Sequence, residues 1–128
     1  MRSRIMKRNL TAVAALGTLF IATVQATPAV AARASAPTIT FSFCSTVGSV
    51  YRMTCEAQWV GGTDPATARW TNAWNTWIGP GDYNSATRRT WVDGNCVPGA
   101  FFAAKVTITD AAGAVTEKVI SGGRACVR

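Results

Sequence analysis

From residue 38 onward, apolar and polar residues alternate with period two, in short runs broken by glycine and proline. Such alternation marks half-buried strands. Residues 38–43 place Ile39, Phe41 and Phe43 on one face. Residues 51–60 place Met53, Cys55, Ala57 and Trp59 on one face and Arg52, Thr54, Glu56 and Gln58 on the other. Gly61-Gly-Thr-Asp-Pro65 is a strong turn signal, and a short third strand is expected over 66–70. Residues 71–95 are the least regular. No stretch carries a helix of three turns, but Trp70, Trp74 and Trp77 stand at helical spacing, which allows one helical turn over 71–77. Gly79-Pro-Gly-Asp82 then breaks the chain, a strand is expected over 87–92, and 93–99 reads as loop. Residues 100–109 alternate again, with Phe102, Ala104, Val106 and Ile108 on one face. Asp110-Ala-Ala-Gly113 is a hairpin turn in which Gly113 suits a positive φ, and 115–120 is the return strand. About seven short strands with glycine and proline turns predict an all-β, two-sheet antiparallel sandwich.

The first thirty residues follow a different pattern. Arg2, Arg4, Lys7 and Arg8 precede an apolar run over 10–24, and small residues follow. This is the order of a secretory signal peptide. Ala29-Val-Ala31 is a suitable cleavage site, and cleavage after Ala26 is the alternative. The apolar run is shorter than the roughly 20 residues needed to span a bilayer. The expected organisation is a signal peptide over 1–31, a flexible leader over 32–37 and one domain over 38–128. The expected location is outside the cell, free or wall-associated, with no membrane association after cleavage.

Removing that segment changes the charge. The whole chain carries a formal +7. From Ala32 onward nine Lys and Arg face six Asp and Glu, leaving +3. That is mildly basic, and it argues against a nucleic-acid partner.

Four cysteines, Cys44, Cys55, Cys96 and Cys126, lie in the last 97 residues. An even number in a short exported chain reads as two disulfides. The spacing fits no zinc site and the chain has no histidine, so neither metal nor cofactor is expected. Three connectivities are open. Cys44–Cys55 with Cys96–Cys126 is favoured, because each pair would staple segments that can lie side by side.

Two stretches carry a family resemblance. CEAQWVGGTDPATARW (55–70) resembles the strand, Gly-Gly turn, proline, strand and tryptophan pattern of bacterial immunoglobulin-like and PKD-like modules. CVPGAFFAAKVTITDAAGAVT (96–116) resembles their last hairpin. The resemblance implies an immunoglobulin-like sandwich, exported and non-catalytic, with no catalytic residue to carry over. Its usual inter-sheet cysteine pair is not matched, since the strand over 101–109 has no cysteine, so the two bridges are expected at the periphery. The aspartate-rich loop of some such modules is also missing.

Trp59 and Trp70 are expected in the core, since large aromatics dominate small cores. Trp74, Trp77, Tyr83, Arg88, Arg89 and Trp91 are the candidate ligand-binding residues. Two accounts of this group are open. The tryptophans cover the open end of the sandwich, or they form an exposed platform for a glycan or a protein. Catalysis has little support. Asp64 and Asp110 belong to turns, Glu56 and Glu117 face solvent, and only Asp82 and Asp93 lie near the aromatics. The expected protein is a monomeric, non-enzymatic binding module with an extracellular protein or glycan as partner. The alternatives are a secreted inhibitor of an amylase or protease and a stand-alone carbohydrate-binding module.

Overall fold

A computed structural model describes residues 34–48 and 50–128, and the expected signal peptide lies outside the described residues. Eight strands run in the order β1 (Thr38–Thr46), β2 (Arg52–Val60), β3 (Thr67–Trp74), β4 (Thr76–Ile78), β5 (Asp82–Asn84), β6 (Arg89–Cys96), β7 (Ala103–Thr109) and β8 (Val115–Ser121). They form two antiparallel sheets. One has the order β1-β2-β6-β4, with β5 also paired to β6; the other has the order β3-β7-β8. The fold is the all-β, two-sheet arrangement expected, and the described residues contain no helix.

Alternation builds the core. Met53, Cys55, Ala57 and Trp59 of β2 face Ala104, Val106 and Ile108 of β7, with Trp70 of β3 and Val92 of β6 between them, and all are buried. Trp59 and Trp70 are 2% and 1% exposed. Large aromatics of this kind contribute about 2–3 kcal/mol each by burial. Trp70 also spans the sheets. Its Nε1 donates to Thr90 Oγ1 (2.8 Å) on β6, and that hydroxyl donates to the Asp82 carbonyl (2.7 Å).

Both disulfides pair as expected, Cys44–Cys55 and Cys96–Cys126. Cys44 and Cys55 are directly opposite on adjacent strands. Cys96 ends β6, and Cys126 lies in the tail after β8, so this bridge joins the two sheets' sequences at one end. All four cysteines are buried. Such bridges fit an oxidising compartment. Among the described residues, no helix is long and apolar enough to cross a membrane.

Several local expectations are corrected. The helical turn over 71–77 does not form. β3 runs on to Trp74, Asn75 takes a positive φ of 54°, and β4 begins at Thr76. β6 extends to Cys96, so residues 93–95 are strand rather than loop. Phe41 and Phe43 do not share the inward side of Ile39. A bulge follows Ile39, which pairs with Trp59 while Phe41 pairs with Gln58. One inserted residue reverses the facing of everything after it. Cys44 therefore turns inward, and both phenylalanines turn out.

Candidate functional site

The outer face of the larger sheet is where most of the candidate residues meet. Along β6, Thr90, Val92 and Cys96 are buried, so Arg89, Trp91, Asp93 and Asn95 point the other way. Their neighbours follow from the register. Phe43, Glu56, Trp91 and Asp82 lie side by side across β1, β2, β6 and β5. Phe41, Gln58, Arg89 and Asn84 form the next row. Phe43 and Trp91 are thus two strand spacings apart, about 9–10 Å. The rings of Phe41 and Phe43 touch edge to face, with centroids 5.5 Å apart. Between the aromatics, Arg89 Nε donates to Glu56 Oε1 (3.0 Å) and Gln58 Nε2 donates to the same oxygen (3.3 Å). Trp77 of β4 pairs with Asn95, and Asn95 pairs with Arg52, at the end of this face.

A shallow cleft of about 340 Å³ opens beside Trp91. Gly79, Pro80, Gly81, Asp82 and Asp93 line it with Trp91. Its cause is the Gly-Pro-Gly sequence. β4 pairs with β6 at 94–96 and β5 pairs with it at 89–91. Between them the chain swings away from β6 toward β3, where the Trp70 N–H donates to the Pro80 carbonyl (2.8 Å). Gly81 makes the detour possible. Its φ is +75°, and a Cβ there would lie 2.4 Å from Trp70 Cδ1 and 2.7 Å from the Trp91 carbonyl oxygen. The detour leaves Asp82, the cross-strand partner of Trp91, and Asp93, two residues further along β6, beside Trp91 in one cleft. A second cleft, of about 370 Å³, lies between Tyr51 and Trp77, over Asn95, Cys96 and Pro98.

The six candidate residues are therefore distributed as follows. Trp77, Arg89 and Trp91 share the outer face of one sheet, and Tyr83 sits on β5 at its margin. Trp74 belongs to the other sheet, opposite Ala103 at the end of β3. Arg88 is engaged elsewhere. Its φ is 53°, its Nη1 donates to the Gly61 carbonyl and its Nη2 pairs with Asp64 (3.0 Å). Phe41, Phe43 and Glu56 are members of the face that sequence reasoning did not assign to the site. Glu56 was legible as an outward position of β2. The phenylalanines were not, because a bulge in β1 leaves no mark in the alternation.

Among the described residues no three His, Cys, Asp or Glu side chains gather to hold a metal, and no cysteine is free. The surface can stack against a flat ligand and accept or donate hydrogen bonds at its margins. The chain matches no family model and no curated protein sequence.

Proposed function

We propose that the protein is a small exported, non-enzymatic binding module of the immunoglobulin-like or PKD-like kind, and that it binds a glycan on the outer face of the larger sheet. One observation carries this reading: the exposed Trp91 shares a cleft with Asp82 and Asp93, and Phe43 stands in the same cross-strand row. A pyranose ring offers polarised C–H bonds to an aromatic face and hydroxyls to acceptors at its rim. Trp91 supplies the face, and the aspartates supply the acceptors. Exposed aromatics grouped on a monomer mark a contact surface. The inhibitor reading would use a rigid loop or the cluster of Trp91 with Arg88 and Arg89, and here both arginines are paired with carboxylates.

Titration with soluble oligosaccharides of cellulose, xylan and chitin is the test. Tryptophan emission should change saturably with one of them. Trp91→Ala should weaken binding by about tenfold or more while far-UV circular dichroism stays unchanged, since an exposed stacking contact is worth roughly 1–2 kcal/mol. Binding that survives Trp91→Ala, or no response to any glycan, would remove the proposal.

A further inference from the structure

The two ends of the sandwich are chemically unlike. At one end the loop before β2, the β3–β4 corner, the β6–β7 loop and the tail after β8 come together. Their backbones are joined: the Cys96 N–H donates to the Tyr51 carbonyl (2.8 Å), Val97 to Asn75 (3.0 Å) and Gly99 to Cys126 (2.9 Å). Val50, Tyr51, Trp74, Trp77, Phe101 and Val127 project there, between 42% and 67% exposed. None of these segments contains an aspartate or glutamate. Arg52, Arg124 and Arg128 do lie on or beside them. At the opposite end, the loops over 61–66, 85–88 and 110–114 contain no aromatic residue. They hold Asp64 paired with Arg88, and Asp110 bonded to backbone N–H groups.

The apolar end is also held outward. Tyr51 and Asn75 both occupy the left-handed region, with φ of 69° and 54°. Residues other than glycine persist there only where the surroundings fix them. The Asn75 side chain donates to the Phe101 carbonyl (2.7 Å), which ties the β3–β4 corner to the β6–β7 loop. The exposed side chains therefore sit on segments joined to one another by backbone and side-chain hydrogen bonds.

We infer that this end is a membrane-contact surface, on which the domain stands upright on an anionic lipid bilayer. Tryptophan, tyrosine and aliphatic side chains partition together at the boundary between headgroups and acyl chains. Arginines beside them, with no acidic side chain among them, complement anionic headgroups. The carboxylates beside Trp91, Asp82 and Asp93, lie on the sheet face and not at this end. Contact of this kind is peripheral and needs no spanning segment; it departs from the sequence-based expectation of no membrane association after cleavage. It leaves the Trp91 face perpendicular to the bilayer and open to solvent.

The test is quenching of tryptophan emission by phosphatidylglycerol vesicles brominated in the acyl chains. All five tryptophans lie between Trp59 and Trp91, so the signal reports the domain and not residues 1–31, even with the full chain. Trp59 and Trp70 are buried, so Trp74 and Trp77 should supply the quenching. It should be lost in Trp74→Phe/Trp77→Phe and retained in Trp91→Phe. Partitioning should fall about tenfold or more in Phe101→Ser, and by a similar factor when brominated phosphatidylcholine replaces phosphatidylglycerol. No quenching in the parent protein, or quenching that persists in Trp74→Phe/Trp77→Phe, overturns the inference. So does light scattering that shows this end buried between two copies, with self-association lost in Phe101→Ser. Circular dichroism verifies that each variant retains the parent fold.

Discussion

Asp110 shows how much one carboxylate can organise in so small a fold. Its Oδ2 accepts from the Thr63 N–H (2.9 Å), and its Oδ1 accepts from Ala112 (3.0 Å) and Ala114 (2.7 Å). The last two belong to its own hairpin turn, as expected of an aspartate at such a site. The first belongs to the loop after β2, in the other sheet's chain. The Thr63 N–H is the main cause of a carboxyl pKa below its ordinary 3.8, with Ala114, Ala112 and Gly113 adding to it against the opposing effect of burial. A group whose folded pKa is lowered gives stability that is complete above the ordinary value and lost as pH falls through the folded one. Asp110→Asn should therefore lower stability at neutral pH and flatten its decline below about pH 4. Urea unfolding followed at several pH values tests this, and parallel profiles for parent and variant would contradict it. The turn role of Asp110 was legible because it depends on neighbours in sequence. Its grip on Thr63 was not, since nothing local specifies which loop will lie alongside.

The same distinction separates the strands that alternation identified from those it did not. β2 and β7 have regular period-two patterns and β8 returns from the Asp110–Gly113 turn; all three have cross-strand partners over their length and form close to where the sequence puts them. β4 and β5 are three residues each, too short to carry a period. They exist because β6 offers them an edge. The Gly-Pro-Gly interruption was visible as a break, but its direction, away from β6 and onto the Trp70 N–H, follows only from tertiary packing. Likewise Trp70, Trp74 and Trp77 have helical spacing by coincidence: a bulge in β3 between Asn72 and Trp74 and a corner at Asn75 leave Trp70 in the core and turn Trp74 and Trp77, which belong to different sheets, out at one end. This explains why the candidate site was identified in part: Trp91 and Arg89 were named for their aromatic and cationic side chains beside the irregular middle segment, and Phe41 and Phe43 were missed. Gly81→Ala should distort this detour, since its Cβ would meet both Trp70 and the backbone of Trp91 at a positive φ. The expected loss is about 2–3 kcal/mol in urea unfolding, together with weaker glycan binding. A neutral substitution would mean that the loop is not pinned as described.

The folded domain is fastened differently at its two ends, by the Asp110 clasp at one and by the Cys96–Cys126 bridge at the other. The bridge spans 30 residues and the Cys44–Cys55 bridge spans 11. Chain entropy assigns them about 3.5 and about 3 kcal/mol respectively. A domain of this size has a net stability on the order of 5–15 kcal/mol. Cys96→Ala/Cys126→Ala should therefore lower the midpoint of thermal unfolding by roughly 15–25 °C, read by circular dichroism. A shift of only a few degrees would show that the tail is held by its hydrogen bonds, Gly122 to Phe102 (2.8 Å) and Cys126 to Ala100 (2.9 Å), without the covalent link.

At its flanks the sandwich has a further property. β1 lies against β8, where Cys44 and Gly122 form a parallel bridge, and β3 lies against β4 and β5. Every outermost strand thus meets the outermost strand of the opposing sheet. An uncovered strand margin invites pairing with other chains and growth into aggregates. Here each such margin faces another strand, which narrows the edge-on approach open to a newcomer.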